Sequence, residues 1–265
     1  MIKRLFTLFK LGRKIAKSDA LNIASKFNKP PTIIKILFSI LSFSFSNEKN
    51  YNVNINEGER LSESLQSMGT TFIKLGQFLA TRPDIIGNQL SNQLESLQDR
   101  LPPFSLNEAK EIIINNLGDK TFNSIINLSE PVAAASIAQV HKAQINDKGI
   151  IKDVAIKILR PNIKKKFNEE IDALMLFAFF VESFVKKTKR LKLIEVIFLL
   201  KEITNLEMDL RFEAAAANEY AENTKNDAGF KVPQIYWNFT SENVMTLDWV
   251  DGVSIRETEV LQKKN

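Results

Sequence analysis

A lysine and a glutamine interrupt the apolar pattern of residues 71–84, whose sequence is T-F-I-K-L-G-Q-F-L-A-T-R-P-D. Lys74 and Gln77 are three residues apart and share a neighbouring helix face, while Gly76 between them leaves room for close backbone approach. The apolar residues recur at spacings of three and four, which predicts one helical stripe: Leu61, Leu65, Met68, Phe72, Leu75 and Leu79. The polar face suits contact with a polar or anionic site, or it is simply solvated.

Three carboxylates lie close together downstream, in the sequence E-M-D-L-R-F-E at 207–213. Glu207 and Asp209 are two residues apart and Glu213 follows; taken alone, this arrangement is common on solvated helices. A second lysine, Lys157, ends the tetrapeptide V-A-I-K, which in protein kinases lies on the third strand and contacts the phosphates of ATP. On four residues alone, a lysine at a strand edge is the alternative.

The composition is that of an ordinary globular protein. With 265 residues, 44% hydrophobic and 25% charged, the chain can form one large or two small domains. A net charge of +5 is mild and does not indicate nucleic acid. The chain has no cysteine, which excludes disulfides and thiolate chemistry, and its single histidine, His141, excludes the usual His-rich zinc sites.

Residues 1–17 form a basic, amphipathic segment without an acidic residue. The basic residues are Lys3, Arg4, Lys10, Arg13, Lys14 and Lys17, and Leu5, Phe6, Phe9 and Ile15 are interleaved among them. This pattern favours contact with an anionic membrane surface; a targeting peptide and a solvated terminus are the alternatives. The apolar runs at 33–45 and 174–185 are too short to span a membrane.

Helices are predicted for the first half of the chain. After a variable lead-in with a helix at 33–41, the opening motif lies on one long helix at 57–80, which Arg82-Pro83 ends. Asp84 is the predicted N-cap of a helix through Leu90, Leu94 and Leu97. Ser105 and Glu108 form a capping box that opens a further helix, and Gly118 stops it.

The hydrophobic period changes near Glu130-Pro131. Two antiparallel strands joined by a tight turn are predicted within 132–143, and a turn at 146–149 leads to a third strand at 153–159. His141 lies on a strand and is interpreted as structural. Helices are then predicted at 162–187 and 193–225, followed by two strands at 231–237 and 243–250.

The motifs together resemble those of the UbiB family of atypical protein-kinase-like proteins, accessory kinases or ATPases of ubiquinone biosynthesis. Residues 74–84 are similar to its K-x-G-Q motif and the continuation F-L-x-T-R-P-D, and residues 133–141 to its signature A-A-A-S-I-G-Q-V-H, with Ala138 in place of glycine. The resemblance runs from about residue 55 to the end. It implies an α+β fold in which a helical KxGQ extension, 56–128, packs on a kinase-like N-lobe, 129–265, with a five-stranded antiparallel sheet plus helices; residues 1–55 are the lead-in.

The resemblance also implies roles for individual residues. Lys157 grips the phosphates of ATP and Glu213 orients it, while the backbone near Val250, in a hinge at 248–255, meets the adenine edge. Lys74 contacts Glu207 and blocks the groove of a protein substrate. The loop that covers the nucleotide consists of Ala133, Ala134, Ala135, Ser136, Ile137, Ala138 and Gln139. The residues that gate the site are Lys74, Gln77, Glu207 and Asp209. The methyl group of Ala138 stiffens the turn near the phosphates.

Two motifs of the family have no counterpart in this sequence. Family members carry an H-G-D-x-H-x-G-N-like catalytic loop and D-F-G in the C-lobe, whereas His141 is the only histidine here and D-F-G does not occur. The expectation is therefore an N-lobe with its extension and without the C-lobe, as a fragment or a truncated or split gene product, inactive in isolation. No G-x-G-x-x-G flavin fingerprint occurs either.

Two functions are compatible with these motifs. In the first, a UbiB-type kinase or ATPase uses ATP and Mg²⁺ to act on lipid precursors of ubiquinone or on their biosynthetic complex. In the second, the chain is a non-catalytic module that docks on a membrane or on a separately encoded C-lobe. The implied location is the cytoplasmic face of a bacterial inner membrane, or alternatively the matrix side of the mitochondrial inner membrane.

Overall fold

The computed structural model describes Phe9 and residues 57–94, 101–184, 186–253 and 257–264. The basic segment 1–17 apart from Phe9, the helix predicted at 33–41 and the end of the predicted hinge, Ser254 and Ile255, lie outside the described residues. The chain divides into two compact units. Unit 1 comprises Met1–Pro102, Ala134–Ile137 and Arg160–Met208, and unit 2 comprises Pro103–Ala133, Ala138–Leu159 and Asp209–Asn265.

Unit 1 is helical. Its helices are α1 Glu57–Met68, α2 Thr70–Ala80, α3 Pro83–Ile86, α4 Asn88–Leu94, α7 Ile163–Phe184 and α8 Leu193–Glu207, with a 3-10 helix at Lys186–Leu191 between the last two. Helix α2 packs against α1, α7 and α8, and Phe72 and Ile73 of α2 and Phe167 and Ile171 of α7 are buried. Within the described residues, none of the helices combines the length and apolarity needed to cross a bilayer.

The prediction of one helix over 57–80 is wrong, because Gly69 separates α1 from α2. Gly69 has φ +103° and ψ −173°, a backbone conformation that is essentially restricted to glycine. Its carbonyl oxygen accepts hydrogen bonds from the N–H groups of Phe72 and Ile73 and so starts α2. Hydrophobic periodicity continues across this position, which is why the pattern did not show the break.

The predicted N-cap at Asp84 is also wrong. Arg82 precedes α3, and Asp84 lies inside it, where its two carboxylate oxygens accept hydrogen bonds of 2.8 and 2.7 Å from the Arg82 guanidinium. These hydrogen bonds lower the pKa of Asp84. Gly87, with φ +85°, then separates α3 from α4. The opening motif thus ends in a local ion pair.

Unit 2 contains the five-stranded antiparallel sheet, which confirms the predicted α+β fold. Its elements are α5 Leu106–Leu117, α6 Asp119–Phe122, β1 Ile125–Ile126, β2 Pro131–Ala134, β3 Ala138–Asp147, β4 Ile150–Leu159, α9 Leu210–Asn223, β5 Val244–Asp248 and α10 Thr258–Lys264. The strand order is β1-β3-β4-β5, and β2 pairs with β3. The last residue of β2, Ala134, already belongs to unit 1.

The core of unit 2 lies between α5 and one face of the sheet. Ala109 and Ile113 of α5 and Val154, Ile156 and Ile158 of β4 are fully buried there. Helix α5 begins with the predicted capping box, in which Ser105 and Glu108 exchange hydrogen bonds, and its C-cap is Gly118, as predicted.

Two other predicted elements differ from the structure. The strand expected at 231–237 is wrong, since Ile235 makes only an isolated bridge to Leu247 and Trp237–Phe239 is a 3-10 helix. The short strand β1 brings the sheet to five strands instead. The helix expected at 193–225 is two helices, because α8 ends at Glu207 and α9 begins after Asp209.

We predict that Gly69→Ala lowers the free energy of unfolding by roughly 1–3 kcal/mol, because alanine avoids this region of φ and ψ. The added methyl group would meet only the Lys166 Nζ at 3.9 Å, so strain in the backbone rather than a clash causes the loss. Urea unfolding followed by circular dichroism measures the change. Gly252→Ala is the control. The φ of Gly252 is not positive, and the added methyl group would lie 3.9 Å from its nearest neighbour, the Val250 Cγ1. Equal stability of both variants would contradict the prediction.

Candidate functional site

Lys157 lies on the face of β4 that turns away from the core. Val154, Ile156 and Ile158 are buried, whereas Ala155 and Lys157 alternate with them and are half-buried. The Lys157 Nζ is 2.7 Å from both Oε1 and Oε2 of Glu213 on α9. The side chains are 25% and 49% exposed, so the ion pair contributes little to stability and mainly fixes the position of the ammonium group.

Three contacts place Glu213 opposite Lys157. Asp209 caps α9, because its carboxylate accepts a 3.1 Å hydrogen bond from the Arg211 N–H. The Leu210 N–H donates to the Glu242 carbonyl at 3.0 Å, and the Leu210 side chain is fully buried. The Arg211 guanidinium also donates to both Asp209 oxygens, and this bond raises the pKa of Arg211. The predicted gating residue Asp209 therefore acts as a helix cap here.

The predicted hinge follows β5. Asp248 accepts hydrogen bonds from the Tyr236 hydroxyl at 2.6 Å and the Gln234 N–H at 3.1 Å, and the Trp249 N–H donates to the Asp153 carbonyl at 3.1 Å. Burial, and then the bond to Asp248, raises the pKa of Tyr236. Val250 is 62% exposed, and its backbone N–H and C=O make no hydrogen bond to the described part of the chain. They are open to a ligand.

A cavity of about 510 Å³ lies beside this hinge. Its lining residues are Lys152, Asp153, Lys231, Pro233, Asp248, Trp249, Val250 and Asp251. Neither Lys157 nor Glu213 is among its described lining residues, in which the three carboxylates outnumber the two lysines. The cavity is therefore not the phosphate-binding part of a nucleotide site.

In unit 1, Lys74 on α2 pairs with Glu207, the last residue of α8. The Lys74 Nζ lies 2.6 Å from the Glu207 Oε2, with side chains 14% and 40% exposed. Gly76 is buried, which fits close packing of α2 at this point. Gln77 is half-buried, and its side chain makes no hydrogen bond to other described residues. The structure thus brings Lys74 and Glu207 together, while their role in gating stays a prediction.

The middle of the predicted nucleotide loop is held by unit 1. The Thr70 hydroxyl at the start of α2 donates to the Ser136 carbonyl at 3.1 Å. The Arg160 guanidinium donates to the Ala135 carbonyl from Nε and Nη2, at 3.0 and 2.8 Å, and the Arg160 N–H donates to the Ile137 carbonyl at 2.8 Å. The loop 134–137 therefore has a fixed backbone.

The loop side chains are progressively buried along the sequence. Ala133 is exposed, Ala134 and Ala135 are half-buried, and Ser136, Ile137, Ala138 and Gln139 are buried. The Gln139 amide accepts from the Phe104 N–H at 3.0 Å, and donates to the Phe104 carbonyl at 3.2 Å and to the His141 Nε2 at 2.9 Å. Because its side chain is fully used, Gln139 has only its backbone to offer a nucleotide; the role of the loop stays a prediction.

His141 is structural, as predicted. It is fully buried, and its Nδ1 lies 2.8 Å from the Ser129 carbonyl, which only accepts. Nδ1 must therefore carry the proton, and Nε2 accepts from Gln139, so the imidazole is neutral. Burial lowers the pKa of His141, against the opposing effects of the Ser129 carbonyl and Glu130.

Several residues that build the site were not predicted. Arg160 directly follows β4, and its Nη1 also donates to the Pro102 carbonyl at 2.8 Å. Thr70 directly precedes the motif at 71–84, and Phe104 directly precedes Ser105, the N-cap of α5. The partners of all three are backbone carbonyls or a distant amide, so no spacing in the sequence could reveal them. Among the described residues there is no cluster of three or more His, Asp or Glu side chains that could hold a metal.

The comparisons with known proteins agree with this fold. Residues 96–265 match the family model of the ABC1 atypical kinase-like domain. The chain belongs to this ABC1 atypical kinase-like family.

Curated relatives named probable protein kinase UbiB are similar to most of the chain. The relative from Marinobacter nauticus is 32% identical over 234 residues, which are 88% of this chain and 42% of the relative. Those from Cellvibrio japonicus and Azotobacter vinelandii are 33% and 34% identical, over 78% and 76% of this chain and 37% of each relative. The resemblance to the UbiB family is confirmed, and the chain spans about two fifths of the length of these relatives.

We predict that His141 titrates below its ordinary value of about 6.5. Because the folded pKa is lowered, the unfolded chain binds more protons between the two values. The stability contributed by neutral His141 is thus complete above about pH 6.5 and is lost as the pH falls through the folded-state pKa. His141 is the only histidine, so its ring proton signals in an NMR titration report it directly. The urea-unfolded chain is the control, and a folded pKa at or above the unfolded one would contradict the assignment.

Proposed function

We propose that this chain contributes the phosphate-gripping lysine of an ATP-binding, kinase-like domain. The observation that carries the proposal is the bidentate contact of the Lys157 ammonium with Glu213 at 2.7 Å. An ammonium group has three N–H donors, of which the two carboxylate oxygens take two. The third donor, on the half-exposed face of the sheet, is free to bind a phosphate oxygen.

The surroundings of Lys157 support the same proposal. Ala155 precedes it by two residues on the same face of β4 and is small enough to leave that part of the sheet open to a flat ligand. Val250 presents its unbonded N–H and C=O, the donor and acceptor that an adenine edge requires. These residues fit a nucleotide, which when bound supplies the phosphoryl group. The described residues offer no carboxylate cluster for Mg²⁺.

The proposed role of the chain's own residues is to position the ammonium group of Lys157 beside the phosphates, and not to transfer a phosphoryl group. Glu213 holds the ammonium group in one place, and the Asp209 cap and the buried Leu210 hold Glu213. A preorganised cation next to the phosphates stabilises negative charge without reorganising during the reaction. By the UbiB resemblance, we propose that the whole protein acts as an ATP-dependent kinase or ATPase in support of ubiquinone biosynthesis, on lipid precursors or their biosynthetic complex at the cytoplasmic face of a membrane.

Binding measurements on the purified chain test this proposal. Wild-type chain is expected to bind ATP more tightly than adenosine, because only ATP reaches Lys157. Lys157→Ala is expected to lower the affinity for ATP about tenfold or more, because the variant loses a charged hydrogen bond to the phosphates. The affinity for adenosine is expected to stay unchanged. Isothermal titration calorimetry measures both.

The control for this experiment is Lys120→Ala, which removes an exposed lysine of α6 in the same unit. Its affinity for ATP is expected to stay within about twofold of the wild type. If the wild-type chain binds ATP no more tightly than adenosine, the nucleotide proposal is overturned in favour of a non-catalytic binding module. If Lys157→Ala keeps full affinity for ATP, the assignment of Lys157 is wrong.

A second experiment concerns the gating role that the resemblance implies for Lys74. Lys74→Ala is expected to change the preference between ATP and ADP at least threefold while the free energy of unfolding falls by no more than about 1 kcal/mol, as for a partly exposed ion pair. Lys201→Ala is the matched control, since Lys201 pairs with Asp172 at 3.4 Å in the same unit. Loss of stability without a change in preference would make Lys74 a structural residue.

A further inference from the structure

Trp249, near the start of the predicted hinge, is held to the sheet by its backbone and by its ring. Its N–H donates to the Asp153 carbonyl of β4 at 3.1 Å. The Lys142 Nζ of β3 lies 4.7 Å from the centroid of the indole ring, and indole attracts a cation more strongly than other aromatic rings do. Trp249 therefore ties the hinge to two strands of the sheet.

Lys142 is itself fixed on β3. Its N–H donates to the Ser129 Oγ at 2.9 Å, and its carbonyl accepts a hydrogen bond of 2.8 Å from the Ser129 N–H. The register places Lys142 opposite Ala155 of β4, and Ala155 opposite Leu247 of β5. Since β4 lies between β3 and the hinge, the half-buried lysine side chain crosses β4 to reach the indole ring. The ammonium group over the ring is thus supported by a fixed backbone.

The indole also connects the two residues that flank Val250. Trp249 precedes Val250, and its Nε1–H donates to the Asp251 carboxylate at 2.7 Å. Hydrogen bonds to a charged acceptor are among the stronger ones. The Val250 side chain is 62% exposed, so its own packing does little to fix this residue. The bond between Trp249 and Asp251 therefore restricts the Val250 backbone from both sides.

The other contacts of the hinge end before Val250. The Asp248 carboxylate binds the Tyr236 hydroxyl and the Gln234 N–H, and the Asp248 N–H donates to the Gln234 carbonyl at 3.0 Å. Among the described hydrogen bonds, the one from the indole is the only one made by residues 251–253. The chain just beyond Val250 thus depends on Trp249 for its position.

The hinge and Lys157 lie at two ends of one face of β4. Asp153, Ala155 and Lys157 share this face by alternation, and Trp249 is bonded to Asp153. A nucleotide likewise carries its base and its phosphates at opposite ends. The contacts of Trp249 therefore act at the base end of the proposed site and not at the phosphate end.

We propose that Trp249 is a positioning residue that fixes the Val250 N–H and C=O in the geometry required by the base of a bound nucleotide. This role rests on the proposed function, because it concerns the base end of the same site. A donor and an acceptor that are already fixed lose little conformational freedom when a ligand binds, so the ligand binds more tightly. Loss of the indole N–H is therefore expected to weaken binding of the base and to leave binding of the phosphates unchanged.

Two nucleosides that differ in one group test the proposal. Purine riboside is adenosine without the 6-amino group, which is the donor that a backbone C=O accepts from. Wild-type chain is expected to bind adenosine about threefold to tenfold more tightly than purine riboside, as for one hydrogen bond. Trp249→Phe keeps a ring beneath Lys142 but removes the indole N–H, and is expected to lower this ratio below about twofold. Isothermal titration calorimetry measures both affinities.

The matched control is Trp237→Phe, the same substitution at the other tryptophan of the chain. Trp237 is 45% exposed on the 3-10 helix Trp237–Phe239 and lies in the same unit. Its variant is expected to keep the wild-type ratio. Tripolyphosphate, which has no base, is the second probe. Its affinity is expected to be unchanged in Trp249→Phe and about tenfold or more lower in Lys157→Ala.

A measurement without nucleotide examines the Val250 backbone directly. The NMR order parameter of the Val250 amide is expected to be near 0.85 in the wild type, as in rigid backbone, and to fall below about 0.7 in Trp249→Phe. Trp237→Phe is expected to keep the wild-type value. An order parameter that is already low in the wild type overturns the proposal, because Val250 is then not preorganised.

The binding outcomes separate this proposal from the proposed function. If Trp249→Phe keeps the wild-type ratio, or if the wild type does not distinguish the two nucleosides, the role of Trp249 is overturned and the assignment of Lys157 stands. If Trp249→Phe loses affinity for tripolyphosphate as much as for adenosine, Trp249 supports the whole fold and is not a positioning residue for the base. The proposed function fails on a different result, namely an affinity for ATP that does not depend on Lys157.

Discussion

The two-residue period of strand β4 is the constraint on which unit 2 depends. One face of the strand supplies Val154, Ile156 and Ile158 to the core beneath α5, and the other face presents Ala155 and Lys157. A slip of one residue in the pairing with β3 or β5 would bury the lysine and expose the isoleucines. The burial of apolar area thus selects the register, and the register places the ammonium group. The stability of the sheet and the position of the functional side chain have the same physical origin.

The fold class could be predicted from patterns within the sequence, and the lysine–glutamate pairs from the resemblance to the UbiB family that the motifs support. Alternation marks the strands, and the motifs mark Lys74, Lys157, Glu207 and Glu213. The breaks at Gly69 and at Asp209 could not be predicted in the same way. Apolar periodicity runs through both positions, while the breaks depend on a φ of +103° in one case and a side-chain cap in the other. The prediction of a strand at 231–237 was wrong for a related reason. The apolar and aromatic residues there are compatible with a 3-10 helix as well as with a strand.

The break at Asp209 also distributes two acids of one short motif between the two units. Glu207 ends α8 and holds Lys74 in unit 1, whereas Glu213 lies on α9 and holds Lys157 in unit 2. Each unit therefore contains its own lysine–glutamate pair. If one helix had continued over 193–225, as its periodicity predicted, Glu207 and Glu213 would both lie on that helix. The interrupted helix lets each acid be fixed by the packing of its own unit.

The contacts of the loop 134–137 have a consequence for the order in which the protein assembles. Ser136 is held by Thr70, 66 residues earlier, and Ala135 by Arg160, 25 residues later. Contacts over such separations form late, because the chain must close long loops before they become favourable. On a ribosome, the loop would emerge well before Arg160 does and would remain unfixed until then. A loop whose backbone is fixed by distant partners in the finished molecule is thus one of the last parts to acquire its geometry.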